Sequence, residues 1–313
     1  MINTNIKMVG LFEKEVETMP RITRLAKAAE PARTNGPTLR FFGTMNGESE
    51  SHTNAVFFPD PNTIVFIDSS MLNVYRQRSL IKNSLIKSVY CCITHTHDDH
   101  ASGAGRLAWC THHLQPGHEL TFLVDATVKN DLIGKLTREG VIEKSTDEGP
   151  IYNLMEYVHY GKAWVFNDRY GNCNPRLLKP DWFIGTIPTD HTPRLNGATG
   201  FAFKVDGKLI IYSGDTNTIA PFVRFIERTT GQANYDAETP IELYLDVEVR
   251  ESTSHLQFAK VKAELAKLLA KYPTMRIILM HYEHYTKLAY EVDKTFGGQF
   301  AKRISLAEPT SFC

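Results

Sequence analysis

The apolar run Val89-Tyr90-Cys91-Cys92-Ile93-Thr94 passes without a break into His95-Thr96-His97-Asp98-Asp99-His100. The run is short and carries β-branched residues, which predicts a buried strand. A strand fixes the direction of the backbone, and the loop at its end presents polar side chains to one spot. In extended backbone His95 and His97 point to the same side, so both imidazoles can reach one metal ion. Asp99 and His100 then turn back and can supply a second ion. This mixture of imidazole and carboxylate suits borderline ions such as zinc.

One short motif cannot close two metal sites, so the remaining ligands must come from elsewhere, each just past an apolar strand. Three positions fit: His191 after Phe183–Ile187, Asp215 after Leu209–Tyr212, and His281 after Arg276–Met280. Further strands are expected at Leu39–Gly43, Thr53–Phe58, Thr63–Asp68, Leu120–Val124, Gly200–Val205 and Ile241–Val247. Asp206-Gly207 is a favoured two-residue hairpin turn between Gly200–Val205 and Lys208–Tyr212. Helical patterns fall near 72–86, 125–138 and 255–272. The last has Val261, Leu265, Leu268 and Leu269 on one stripe, and Ser254 with Gln257 reads as a capping box at its start. Residues 160–180, rich in Gly, Asn, Pro and aromatics without periodicity, read as a long binding loop. Tyr160, Trp164, Phe166 and Tyr170 in it could wall a pocket and stack on a base. Residues 1–37 read as an N-terminal helical extension, and 38–313 as the main domain.

Composition narrows the classes. Thirty-five basic and 35 acidic side chains cancel, which excludes a global basic field for nucleic acid. The five cysteines, Cys91, Cys92, Cys110, Cys173 and Cys313, are odd in number and form no C-x-x-C pair. They read as reduced thiols of a cytoplasmic protein. No apolar stretch reads as a signal peptide or a membrane span, so no membrane partner is expected.

The order H-x-H-x-D-H, His, Asp, His resembles the metallo-β-lactamase superfamily, and the matching motifs run from Asp68 to Tyr285. The resemblance implies an α/β (α+β) fold, a four-layer αββα sandwich of two mixed sheets with the metals at one edge. It implies two divalent ions, zinc first, with manganese or iron as alternatives. His95, His97 and His191 would hold the first ion, Asp99, His100 and His281 the second, and Asp215 would bridge them. A hydroxide between the ions would be the nucleophile, with Asp99 orienting it. Asp68 matches a supporting aspartate of the family.

Within the superfamily, Asp215 stands where the commonest true β-lactamases of this fold have cysteine, which disfavours antibiotic hydrolysis. Tyr212-Ser213-Gly214-Asp215-Thr216 looks like the YSGDT stretch of the tRNase Z and cyclic-nucleotide phosphodiesterase branch. Glu248 and His255 resemble a catalytic pair used there, with His255 in a first helical turn as phosphate binder or proton donor and Glu248 orienting it. His281-Tyr282-Glu283-His284-Tyr285 is similar to that branch's H-x-S-x-R-Y ending, with His284 in place of Arg. No basic arm for gripping tRNA is visible. The expected activity is therefore hydrolysis of a small phosphodiester such as a cyclic nucleotide, in a chain that forms homodimers as such proteins commonly do. A lactone or thioester hydrolase, an RNA 3′-end endonuclease of tRNase Z type, and a redox di-iron protein or sensor are the alternatives.

Overall fold

The strands of this chain are apolar at nearly every position because both of their faces are covered. The computed structural model describes residues 37–45, 51–115, 118–139, 141, 151–158, 163–167, 179–192, 197–232, 235 and 238–311. A seven-stranded sheet runs in chain order: β1 (Arg40–Gly43), β2 (Asn54–Asp60), β3 (Thr63–Ile67), β4 (Ser88–Cys92), β5 (Leu120–Asp125), β6 (Tyr152–Val158) and β7 (Ala163–Asn167). Strands β3 to β6 are parallel, and β1, β2 and β7 join antiparallel at the edges. The other sheet contains β8 (Phe183–Thr189), β9 (Ala198–Val205), β10 (Lys208–Tyr212), β11 (Ile241–Asp246), β12 (Met275–Met280) and β13 (Ile304–Leu306), in the spatial order β13-β12-β11-β10-β9-β8. Here β10 to β13 are parallel and β9 opposes both its neighbours.

Two-residue periodicity assigns each strand's side chains. Ile210, Tyr212, Tyr244, Ile278 and Met280 point between the sheets, where they meet Phe57, Val65, Ile67, Cys92 and Leu123 of the other sheet. The alternate residues Leu209, Ile211, Leu243, Leu245, Ile277 and Leu279 lie under helices. On the first sheet Ile64, Phe66, Cys91, Phe122 and Val124 do the same. Adjacent Cys91 and Cys92 thus belong to opposite faces, and both are free, buried thiols. Parallel strands covered on both sides lose the polar alternation of a half-exposed sheet.

The outer layers are helical. Helices α1 (Val74–Ile81), α2 (Ala104–Leu114) and α3 (Ala126–Arg138) supply Val74, Leu107 and Leu132 to one outer core. Helices α4 (Ala220–Thr230), α5 (Phe258–Lys271) and α6 (Tyr285–Phe296) supply Phe222, Leu265 and Leu288 to the other. The architecture is the expected αββα sandwich. The hairpin between β9 and β10 turns on Asp206 and Gly207, at φ 50° and 76°, as its two-residue turn requires. No described helix is long and apolar enough to cross a membrane.

Three expectations need correction. The 160–180 stretch is not loop throughout: Ala163–Asn167 is strand β7, paired with a β6 that the sequence pattern had not revealed. Trp164 and Phe166 stand on that strand, while Tyr160 and Tyr170 lie outside the described residues. Helix α5 starts at Phe258, after a Gln257 N-cap whose side chain makes no capping bond. The Gln257 amide instead donates to the Ser252 carbonyl, and the backbone at Gln257 bridges that at Glu248, which keeps 255–257 out of the helix. Helix α2 was also unforeseen. The N-terminal extension lies outside the described residues save for Pro37; Gly36–Phe312 forms one compact unit.

The seam between the sheets is aromatic. Phe203 of β9 is fully buried, with ring centroids 4.8 Å from Phe57 of the opposite sheet and 5.9 Å from Phe183. Phe203→Ala should lower the unfolding free energy by about 3–5 kcal/mol. Tyr290→Ala, on an exposed face, should change it by less than about 0.5 kcal/mol. Urea denaturation checks both.

Candidate metal centre

Every candidate ligand follows the carboxyl end of a strand on the same edge of the sandwich, where parallel sheets place their ligands. Strand β4 leads to His95, β8 to His191, β10 to Asp215 and β12 to His281. Short loops then aim the side chains, and a helical turn, Asp98–Ala101, carries Asp99 and His100. Gly214 has φ 60°, and a Cβ there would sit 2.9 Å from the Thr94 side chain, so the loop carrying Asp215 packs directly on the loop carrying His95. Asp68 and His281 also take left-handed backbone, each at φ 61°. Such conformations cost about 1–3 kcal/mol each and concentrate at functional sites.

The result is two clusters joined by one carboxylate. His95 Nε2 and His97 Nδ1 lie 3.1 Å apart, and His191 Nε2 is 3.3 Å from His97 Nδ1. Asp215 Oδ2 faces this group, 3.7 Å from His95 and 3.5 Å from His191. Asp215 Oδ1 faces the second group, 3.2 Å from His100 Nε2 and 3.4 Å from His281 Nε2. Asp99 Oδ2 completes it, 3.2 Å from His100 and 3.3 Å from His281. All seven sequence-selected ligand candidates are therefore together, in two sets of four donors that share Asp215.

Donor chemistry fits two cations. His100 Nε2 and Asp215 Oδ1 are buried side by side, yet neither has a hydrogen-bond partner among the described residues. Bare nitrogens facing each other at 3.1–3.3 Å repel if both are protonated and gain nothing if both are not. Burial, with repulsion from His100, pushes the His95 pKa well below the imidazole range. Burial also opposes charge on His281, but Asp215, Asp246 and Asp99 together lift its pKa to about 10. His100 moves the same way despite burial, driven by Asp215, Asp99 and Asp68. Burial would raise Asp99, yet the charge of His100 and the contact with His281 hold its carboxyl well below the usual range.

A ring of acceptors behind the clusters fixes which nitrogen faces forward. Asp68 takes the His100 Nδ1 proton at 2.8 Å and is itself held by Thr94 N–H and hydroxyl. His191 Nδ1 donates to the Ser254 carbonyl at 2.9 Å. Asp246, the fully buried last residue of β11, serves two histidines: Oδ2 accepts from His255 Nδ1 at 2.9 Å, and Oδ1 faces His281 Nδ1 at 3.4 Å. The His255 ring lies between the two clusters, with centroids 5.2 Å from His191 and 5.0 Å from His281.

Residues 38–305 match the profile of the family described as anti-Pycsar protein Apyc1. The chain belongs to that family. Its fold is the metallo-β-lactamase fold. The anti-Pycsar Apyc1 match spans most of what the structure describes and all the clustered ligands. Three solved structures share the architecture, each aligned over 87% of this chain and 97% of its own. They are YhfI of Bacillus subtilis, a metallo-β-lactamase fold protein (TM-score 0.56, 13% identity), unliganded yeast PDE1 (0.55, 13%) and the short form of human tRNase Z (0.52, 15%). No curated protein matches the sequence.

Two expectations about the supporting residues do not hold in this member of the anti-Pycsar family. Glu248 does not orient His255. Its carboxylate accepts from the backbone amides of Val249, Arg250 and Glu283. Nor does His255 stand in a helical turn, because α5 begins three residues later. Asp246 is the residue that sequence reasoning missed. Its signal was available, since Leu243-Tyr244-Leu245-Asp246 ends an apolar strand in aspartate just as Val65-Phe66-Ile67-Asp68 does. Asp246→Asn should weaken binding of the metal ions about 10–100-fold, because one amide oxygen cannot serve both histidines. Competition with a chromogenic chelator measures this directly.

Proposed function

We propose that the chain is a dinuclear metal-dependent phosphodiesterase whose substrate is a small phosphodiester, a 3′,5′-cyclic nucleotide. The observation that carries this reading is the Asp246–His255 pair set between two four-donor clusters. A phosphodiester with an alkoxide leaving group needs charge neutralisation on its phosphoryl oxygens and a proton for the departing oxygen. His95, His97 and His191 with Asp215 Oδ2 would hold one ion, and Asp99, His100 and His281 with Asp215 Oδ1 the other. Divalent ions at such sites, zinc first and manganese or iron as alternatives, supply Lewis-acid polarisation and a nucleophilic water at neutral pH.

The chain's own residues do the rest. Asp99, at 12% exposure the most accessible ligand of its cluster, accepts a hydrogen bond from the attacking water and orients it. Burial opposes charge on His255, but Asp246 and Asp215 raise its pKa, so the ring acts as an imidazolium that keeps Nδ1–H on Asp246 and offers Nε2–H to the substrate. Water adds at phosphorus, one phosphorus–ribose oxygen bond breaks, and His255 Nε2–H protonates the leaving alkoxide. The product is a nucleoside monophosphate. Membership of the anti-Pycsar family supports a cyclic-nucleotide substrate.

Leaving-group dependence tests the assignment. With metal-loaded protein, His255→Ala should lower kcat on a cyclic nucleotide about 10²–10⁴-fold. On bis(p-nitrophenyl) phosphate, whose phenolate leaves without a proton, the loss should be much smaller. Lactone or aryl-ester turnover that exceeds every phosphodiester and ignores the substitution would overturn the reading in favour of a carboxylic-ester hydrolase.

A further inference from the structure

A cavity of about 540 Å³ opens beside the His281 side of the centre, lined by Met45, Arg250, Glu283, His284, Tyr285 and Lys287 among others. Its link to the centre is covalent and short. Glu283 is two residues past His281, so their Cα atoms are within roughly 7 Å. The His281 amide donates to the Thr44 carbonyl at 2.9 Å, which brings Met45 to the same place.

Two polar groups in this cavity are held with unusual care. Arg250 Nη1 and Glu283 Oε2 lie 3.1 Å apart, with the Arg250 side chain 57% exposed. An exposed ion pair adds little to stability. Yet the buried Glu248 carboxylate anchors both sides of it: Oε1 accepts from Val249 N–H at 2.7 Å and Arg250 N–H at 3.4 Å, and Oε2 from Glu283 N–H at 3.0 Å. A buried carboxylate thus ties two loops together so that a guanidinium and a carboxylate stand side by side at a cavity mouth. Beside them Tyr285 is 46% exposed, and its ring is set against the buried Tyr282 at 5.8 Å between centroids. A flat aromatic face next to a paired strong donor and strong acceptor is the chemistry that recognises a heteroaromatic ring with amide-like edges.

We propose that this cavity is the nucleobase subsite: Tyr285 stacks on the base, while Arg250 donates to its carbonyl or ring nitrogen and Glu283 accepts from its amino or imino N–H. The assignment rests on the cyclic-nucleotide reading above and adds where that substrate's base is read. Glu248 is then a positioning residue of the subsite. The same placement explains why Glu283 stands in a segment otherwise devoted to the metal ligand His281.

Steady-state kinetics of the metal-loaded full chain decide it, on the four common 3′,5′-cyclic nucleotides and on methyl p-nitrophenyl phosphate, a diester without a base. Tyr285→Ala should raise KM for cyclic nucleotides about ten-fold or more, with kcat within about two-fold, whereas Tyr285→Phe keeps the wild-type KM. Arg250→Ala should lower the ratio of kcat/KM for cyclic nucleotides to that for the small diester by about ten-fold. Glu283→Gln should change the rank order of the four bases, which a merely structural role would not do. Wild type that cleaves cyclic nucleotides while all four variants keep its KM and base order overturns the subsite and leaves the proposed activity standing. So does an equal kcat loss on both substrate types, which would mean a distorted centre. Wild type that cleaves methyl p-nitrophenyl phosphate but no cyclic nucleotide overturns the substrate reading and the subsite with it.

Discussion

Asp215 is the constraint on which the rest of the site depends. Its carboxylate is 3% exposed, and each oxygen faces a different group of donors. A buried carboxylate is tolerated only where other groups or ions compensate it, and here five imidazoles lie within 4.0 Å. Two sheets must therefore deliver their strand ends to one point. Gly214 makes this sterically feasible: its left-handed backbone and missing Cβ let the β10 loop lie on Thr94, at the root of the histidine motif. Sandwich and centre are in this sense one construction. The aromatic seam between the sheets fixes their relative position, and that position fixes which donors share Asp215.

Behind the ligands the carboxylates divide their work by depth. Asp68 and Asp246 are fully buried and make strong contacts to ring nitrogens that do not face the clusters. Each sets the tautomer of the histidine it touches and so fixes which nitrogen is presented. Asp246 goes further, because one carboxylate orients both a cluster histidine and His255. Movement of either ring is felt by the other, which ties the position of His255 to that of the centre. Among the described residues the carboxylate of Glu248, two residues on and 6% exposed, bonds backbone amides, and so shapes loops instead of imidazoles.

Much of this was legible in the sequence, for a physical reason. Strands buried on both faces stand out as continuous apolar runs, and a polar residue directly after such a run has few roles other than the site edge. That logic located His95, His191, Asp215 and His281. It fails where two acidic residues share one strand end. Asp246 and Glu248 both follow Leu245, and they differ by whether β11 has stopped, which is settled by pairing with β12 up to Met280. The start of α5 misled for a similar reason: Ser254 and Gln257 have capping-box spacing, but a backbone bridge between Glu248 and Gln257 claims that segment first. Strand β6 was hidden because Tyr152-Asn153-Leu154 and Glu156-Tyr157 give only a weak two-residue pattern, and the short edge strand β7, which pairs with β6 alone, was hidden with it. The Arg250–Glu283 pair was beyond sequence reasoning altogether, since its members are 33 positions apart and meet through a third residue.

Charge balance bears on what such a centre can capture. With 35 basic and 35 acidic side chains there is no net field to draw in a polyanion from a distance. RNA binding draws much of its affinity from phosphate contacts spread along the strand and the counterions they release. A cyclic nucleotide carries a single phosphate charge and gains little from such a field. Its affinity has to come from short-range contacts: ions and His255 at the phosphate, and a flat, hydrogen-bonding surface for the base. A neutral chain with a candidate metal centre and a polar cavity alongside it suits the proposed cyclic-nucleotide substrate better than RNA. The same balance predicts where selection among bases is made. On the proposed reading the centre would touch atoms that every cyclic nucleotide shares, and discrimination would fall to Arg250 and Glu283 in the segments after β11 and β12 and to Tyr285 at the start of α6.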